Sequence, residues 1–222
     1  MRDPLVGFDW PMLYDRYDGM CKGFDSCSPH LRAVAPHVRS DRFLYYHLIG
    51  QNRSLQGRPR HVAVGDYEAM LYWKLYSQPA ARRLLARIGA DGDQIACRLD
   101  GLVKELPASM ERDLAGVVET MRVIDRFRIL GMGSRAALPV RITSLHFLYP
   151  SVVPIFDQMV LKAVGAWQKG ANQELAVLKE YIPFAWQLAD QHARHLAGFA
   201  EPPVPLVDMA LWAGRGKGLR AA

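Results

Sequence analysis

Two short stretches of this chain, both between Leu130 and Val164, combine residue types that could carry chemistry. The first begins Leu130-Gly131-Met132-Gly133 and continues into Ser134-Arg135. Glycines two positions apart allow the backbone to turn tightly and to bring N–H groups close to a ligand. When such a turn leads into a helix, its amides can bind a phosphate without a charged side chain. The pattern predicts a phosphate-binding hairpin at residues 130–137.

The second stretch is built around a carboxylate that follows a proline. It reads Pro154-Ile155-Phe156-Asp157, with Val160 and Val164 following at helical spacing. A proline and two apolar residues favour a turn that delivers Asp157 to the start of a helix. Val160 and Val164 would then face inward and Lys162 outward. We therefore expect the Asp157 carboxylate at the edge of a cleft rather than on open surface.

Together and in this order, the two stretches resemble the helix-hairpin-helix DNA glycosylases, particularly their adenine-specific mismatch branch. The likeness rests on the hairpin at 130–133 and on the turn at 154–160, and it covers about 35 of the 222 residues. It implies a mainly α, helix-hairpin-helix glycosylase-like domain. It also implies DNA as a partner, because in that family the hairpin amides hold a phosphate while the target base is flipped into a pocket beside the aspartate.

The resemblance implies roles for individual residues. Asp157 would be the catalytic carboxylate, stabilising positive charge at the sugar or assisting the attacking water. No lysine follows the hairpin where bifunctional members keep their nucleophile, and no cysteine lies beyond Cys97. The expectation is a monofunctional mechanism with no iron–sulfur cluster, no other cofactor and no metal. The residues expected to contact DNA are Gly131, Gly133, Ser134, Arg135, Arg141 and Lys162, and those expected in a pocket are His146 and Tyr149.

Structural interpretations of the same residues stay open. Asp157 could be an N-cap only, and the two hairpin glycines could form a helix C-cap and a loop. His146 and Tyr149 could be core residues. Three functions therefore remain at this point: a DNA glycosylase-like enzyme, a non-enzymatic nucleic-acid-binding protein, and a helical structural or interaction protein.

A second resemblance joins three blocks of the chain. The segments 143–150, 154–157 and 207–212 resemble bacterial proteins that carry the same blocks in the same order. This likeness supplies no activity. It predicts that His146, Asp157 and Asp208 belong to one structural plan.

Composition favours a polyanion partner and a reducing compartment. Lys plus Arg number 28 against 22 Asp plus Glu, for a formal net charge of +6 and a pI near 9.3. Three cysteines and the absence of a secretory leader pattern lead us to expect a cytoplasmic protein, and the short apolar runs predict no membrane span. Cys21 and Cys27 with His30 and His37 could suggest zinc, but their spacing is wider than usual.

Apolar residues at helical spacing and the lack of strand alternation predict an all-α protein. Motifs of hydrolases, nucleotide-binding proteins and zinc proteases are missing. We expect an irregular segment at 1–65 with one short helix, a helical domain at 66–213 and a disordered basic tail at 214–222. Helices are predicted near 39–49, 67–77, 80–88, 93–106, 109–130, 142–148, 158–168, 173–198 with a kink at Pro183, and 206–212.

Overall fold

A computed structural model describes residues 1–20, 41–53, 64–75, 79–132, 138–170 and 172–214. Within these ranges the chain forms helices joined by turns and contains no β-strand, which confirms the mainly α prediction. None of the helices there is long and apolar enough to cross a membrane. The helices are α1 Leu13–Met20, α2 Asp41–Arg53, α3 Val64–Leu75, α4 Pro79–Ala90, α5 Gly92–Glu105, α6 Leu114–Phe127, α7 Leu138–Leu148, α8 Gln158–Ala163, α9 Asn172–Ala176, α10 Ile182–Gln191, α11 Ala193–Leu196 and α12 Pro203–Gly214.

Helix α7 lies at the centre of the molecule. Its residues from Val140 to Phe147 are buried on every side, and it packs against α2, α3 and α6. Two of its polar side chains are satisfied within the helix, since Thr143 and Ser144 donate to carbonyls one turn back. The predicted helix at 142–148 is confirmed, and it begins four residues earlier.

The N-terminal residues are more regular than the sequence indicates. A 3-10 turn at Trp10–Met12 leads into α1, which packs along α12 near the other end of the described chain. Leu5, Trp10 and Leu13 are buried there. The sequence predicted only a later helix, near 39–49, which the structure places at Asp41–Arg53.

Three predicted helix starts are wrong by two to four residues. The sequence predicts N-caps at Asp66, Asp93 and Ser109. Asp66 and Asp93 instead lie inside the first turns of α3 and α5. The N-cap of α6 is Asp113, whose carboxylate accepts from the Ala115 and Gly116 amides. The apolar stripes of these helices were predicted correctly. Their N-caps were not, because several polar residues near each start could serve as the cap.

The segment predicted as one helix at 173–198 is divided. A π-turn at Val177–Tyr181 joins α9 to α10, and the Ile182 amide donates to the Val177 carbonyl, five residues back. Pro183 stands at the start of α10, where a missing N–H costs little. The extra residue of a π-turn rotates the preceding side chains about the axis. Tyr181, at its end, points into the site described below.

Candidate functional site

The hairpin begins with a turn that requires glycine. Gly131 has φ +94°, a left-handed conformation that side chains rarely adopt, and a Cβ built on it would lie 3.0 Å from the Tyr67 hydroxyl. The Tyr67 hydroxyl donates to the Leu130 carbonyl at 2.6 Å. The turn is therefore held against α3. The predicted phosphate-contacting residues Gly133, Ser134 and Arg135 lie outside the described residues.

Asp157 lies at the N-cap of α8, as the sequence predicts. Its Oδ1 accepts the Val160 amide at 2.7 Å, and the residue is half-buried. Val160 and Val164 are buried and Lys162 is exposed, which confirms the predicted faces of this helix. The Lys162 ammonium lies 5.6 Å from the centre of the Trp167 ring.

The backbone just before Asp157 is held by side chains from three other elements. The Ile155 amide donates to Asp208 Oδ2 of α12 at 2.7 Å. The Ile155 carbonyl accepts the Tyr181 hydroxyl at 2.9 Å, and the Phe156 carbonyl accepts the Lys74 ammonium of α3 at 2.5 Å. Consecutive polar backbone groups are thus bonded to Lys74, Tyr181 and Asp208, which we call the turn anchors.

Burial sets the charge states of the turn anchors. It lowers the pKa of Lys74 to about 8, against the opposing attraction of Asp157, Asp208 and Asp41. It raises the pKa of Asp208 well above its usual range, although the Ile155 amide and the Tyr181 hydroxyl stabilise the carboxylate. It also raises the pKa of Tyr181, which lies 3.2 Å from Asp208 Oδ1. Burial therefore disfavours the charged form of each of the three turn anchors.

One face of α3 holds both of the stretches that the sequence singled out. Tyr67 bonds the hairpin and Lys74 bonds the Asp157 turn. These residues are seven positions apart in one helix, so they share a face and are separated by roughly 10 Å along the axis. The hairpin and the carboxylate are thus fixed relative to each other by a single rigid element.

His146 and Tyr149, the two predicted pocket residues, make structural contacts. His146 is fully buried, with Nδ1 at 2.6 Å from the Val153 carbonyl and Nε2 at 2.8 Å from the Tyr45 hydroxyl. Burial lowers the pKa of His146 to about 3, so the ring is neutral, donating to Val153 and accepting from Tyr45. The buried Tyr149 donates to the Pro107 carbonyl at 2.7 Å.

His146 also links the three blocks of the second resemblance. Its Nδ1 lies 4.0 Å from Asp208 Oδ2, and Asp208 bonds the Ile155 amide two residues before Asp157. The expectation that His146, Asp157 and Asp208 share one structural plan agrees with this geometry. His146 lies on the buried side of the Asp157 turn, where its Nδ1–H donates to the Val153 carbonyl.

Arg141 is placed where DNA could not reach it. Its side chain is 3% exposed and pairs with Asp125 at 2.7 Å and Glu174 at 3.4 Å, joining α7 to α6 and α9. The expected contact with DNA is therefore corrected to a structural ion pair. The sequence could not distinguish the two roles, because the partners lie 16 and 33 residues away.

Among the described residues, no group of three or more His, Cys, Asp or Glu side chains could hold a metal ion. Cys97 is exposed and free. The possible zinc ligands Cys21, Cys27, His30 and His37 lie outside the described residues.

Sequence reasoning missed two of the turn anchors. Lys74 and Tyr181 stand in helical stripes of apolar and aromatic residues that read as ordinary core. A lysine on the buried side of α3 was the available signal, because an unpaired lysine is rarely buried. Comparisons of the chain with protein-family models, with curated proteins and with solved structures gave no match.

Proposed function

We propose that the protein binds DNA and acts as a monofunctional, glycosylase-like hydrolase in which Asp157 is the essential carboxylate. The observation that carries the proposal is the attachment of the hairpin and the Asp157 turn to one face of α3, through Tyr67 and Lys74. A helix cap and a loop glycine that served only local folding would need no common support. A turn that binds a phosphate and a carboxylate that acts on the same DNA strand would need a common support.

In the proposed reaction, the bond between a flipped base and its sugar breaks and the bonding electrons leave with the base. The Asp157 carboxylate stabilises the positive charge that develops on the sugar. Water then attacks the sugar carbon and loses a proton, which balances the proton taken up by the departing base. The products are a free base and an abasic site, and no redox partner is needed.

The turn anchors give this carboxylate a fixed position. Electrostatic stabilisation is efficient when the charged group is already oriented before reaction. Ile155 and Phe156 are bonded from α3, α12 and the π-turn, so a shift of Asp157 would strain or break several partly buried hydrogen bonds. The expected consequence is low reorganisation of the carboxylate during the reaction.

The test is Asp157→Asn, with Asp113→Asn as a matched control. Asp113 is also a helix N-cap, since its two carboxylate oxygens accept from the Ala115 and Gly116 amides of α6, and it has no proposed chemistry. Asparagine caps helices about as well as aspartate, so each variant should lose no more than about 1 kcal/mol of stability. Only Asp157→Asn should abolish excision, lowering it on the order of a hundredfold or more.

The assay uses duplexes carrying mismatched, oxidised, alkylated or deaminated bases, with alkali to reveal abasic sites. Full activity in Asp157→Asn would refute the catalytic assignment. A parent protein that binds these duplexes and excises nothing favours the non-enzymatic, nucleic-acid-binding alternative. A parent that binds none of them at low salt removes both functions, and leaves a helical structural protein.

A further inference from the structure

The exposed arginines of α4 and of α6 with its C-cap differ in their partners. Arg122 pairs with Glu119 at 3.2 Å, and Arg126 pairs with Glu105 at 2.8 Å. Arg83, Arg87 and Arg128 are also exposed, yet none of the three forms an ion pair within the described part of the chain. We call these three the hairpin arginines. Their positive charge is not paired with a carboxylate of the described residues.

Arg128 precedes Gly131 by three residues, and Arg83 and Arg87 belong to α4, which packs against the turn at Gly131. Leu84 of α4 packs against that turn, 3.4 Å from where a Cβ of Gly131 would lie. Arg83 precedes Leu84, and Arg87 follows it by one helical turn. Arg128 ends α6 in a left-handed conformation, and its carbonyl accepts from Arg98 at 2.7 Å. Exposed positive charge therefore flanks the hairpin on the α4 side and on the α6 side.

The two carboxylates that follow α4 in the sequence are not paired with these arginines in the described residues. Asp91 and Asp93 at the α4–α5 connection are exposed, and no ion pair joins them to Arg87 among the described residues. Arginine suits phosphate well, since its planar fork can donate two hydrogen bonds to one phosphate group. Exposed arginines that form no ion pair among the described residues are an arrangement that attracts a polyanion.

We propose that Arg83, Arg87 and Arg128 contact the phosphodiester backbone of duplex DNA beside the nucleotide presented to Asp157. This inference rests on the proposed function and adds the protein surface along which the duplex lies. Contacts to phosphate fix register and orientation without reading sequence. The surface would supply salt-dependent affinity that is independent of the base to be excised.

The experiment compares two double variants that remove the same charge. Arg83→Gln with Arg87→Gln removes two hairpin arginines, and Arg122→Gln with Arg126→Gln removes two paired arginines. Affinity for a 20-base-pair duplex is measured by fluorescence anisotropy between 50 and 200 mM salt, conditions under which phosphate contacts give a strong dependence. Circular dichroism checks that both proteins are folded. Arg128→Asn, which retains a residue suited to a left-handed conformation, tests the third position.

The first double variant should bind about tenfold more weakly at 50 mM salt, and the slope of log affinity against log salt should fall by roughly two. The second should change affinity less than about twofold, because each of its arginines is already neutralised. Equal losses in both variants, or no loss in either, would overturn the surface while leaving DNA binding by the parent intact. A parent that binds single-stranded RNA and not this duplex would overturn the surface and the proposed function together.

Discussion

At the residue scale, His146 illustrates how burial can turn a potential catalyst into a stability element. Both ring nitrogens are bonded, and the pKa is lowered to about 3 from an ordinary value near 6.5. Between these two values the unfolded chain binds a proton that the folded chain does not. The stabilisation from neutral His146 is therefore complete above pH 6.5 and is lost as pH falls toward 3, by roughly 1.4 kcal/mol for each pH unit.

We predict that His146→Gln removes this dependence. Urea unfolding at pH 6.5 and pH 5 should show a relative loss of about 2 kcal/mol in the parent that the variant lacks. Asp208, whose raised pKa contributes with the opposite sign, is present in both proteins, so the difference between them reports on His146. Parallel pH profiles for parent and variant would show that folding does not lower the pKa of His146.

Two constraints act at Gly131, its positive φ and the nearby Tyr67 hydroxyl, whereas only the first acts at Gly165. Gly131→Ala meets both a positive φ and the Tyr67 hydroxyl, whereas Gly165, with φ +77°, has no atom within 4 Å of a built Cβ. Gly165→Ala should lose about 1 kcal/mol from backbone strain alone, and Gly131→Ala should lose roughly 2–3 kcal/mol. Thermal unfolding of the two variants measures the difference. Equal losses would mean that the contact between the hairpin and α3 relaxes at no cost.

At the element scale, Arg141 holds α7 to its neighbours. Arg141→Gln removes charge-assisted hydrogen bonds to Asp125 and Glu174, whose carboxylates keep access to water at 52% and 33% exposure. We expect a loss of about 1–3 kcal/mol in the free energy of unfolding and less than a twofold change in DNA affinity. Denaturant unfolding and anisotropy on the same sample test both. A large loss of DNA affinity in a folded variant would mean that Arg141 contacts DNA after all.

The sequence predicted elements well where the information is local. The apolar stripes of α5 and α6 fixed those helices, and the proline turn fixed Asp157 at the start of α8. Helix α1 was missed because it is short, and its burial depends on α12 at the other end of the chain. The π-turn was expected only as a kink at Pro183, since its bonding depends on how Tyr181 packs.

The sequence predicted only those parts of the candidate site that depend on local information. Asp157, Gly131 and the outward face of Lys162 follow from residues within one or two turns. Lys74 reaches the Phe156 carbonyl across 82 residues, and no local pattern indicates that contact. Asp208 was found only through a resemblance in block order. Long-range hydrogen bonds to backbone carbonyls leave no periodic trace in a sequence.

At the scale of the whole molecule, the N-terminal residues and the helical body share one hydrophobic core. A continuous cluster of buried side chains extends from Leu5 to Leu211. Polar contacts reinforce it: the Tyr14 hydroxyl donates to Glu201 at 2.6 Å, and His192 Nε2 lies 2.9 Å from an Asp3 oxygen. Because these contacts join the two ends of the described chain, local unfolding of the N-terminal segment would open the core that packs against α12.

We therefore predict that the protein unfolds in a single transition that includes its N-terminal segment. Trp10 is 3% exposed and stacks near His192 and His195, so Trp10→Ala should lose about 3–5 kcal/mol. Val117 of α6 is fully buried in the same cluster, so Val117→Ala should also shift the whole transition, by a smaller amount. In both variants, far-ultraviolet circular dichroism and tryptophan fluorescence should report the same midpoint with an unchanged denaturant slope. An early partial transition in Trp10→Ala, leaving the signal of the remaining helices at its original midpoint, would instead make residues 1–20 a separately folding attachment.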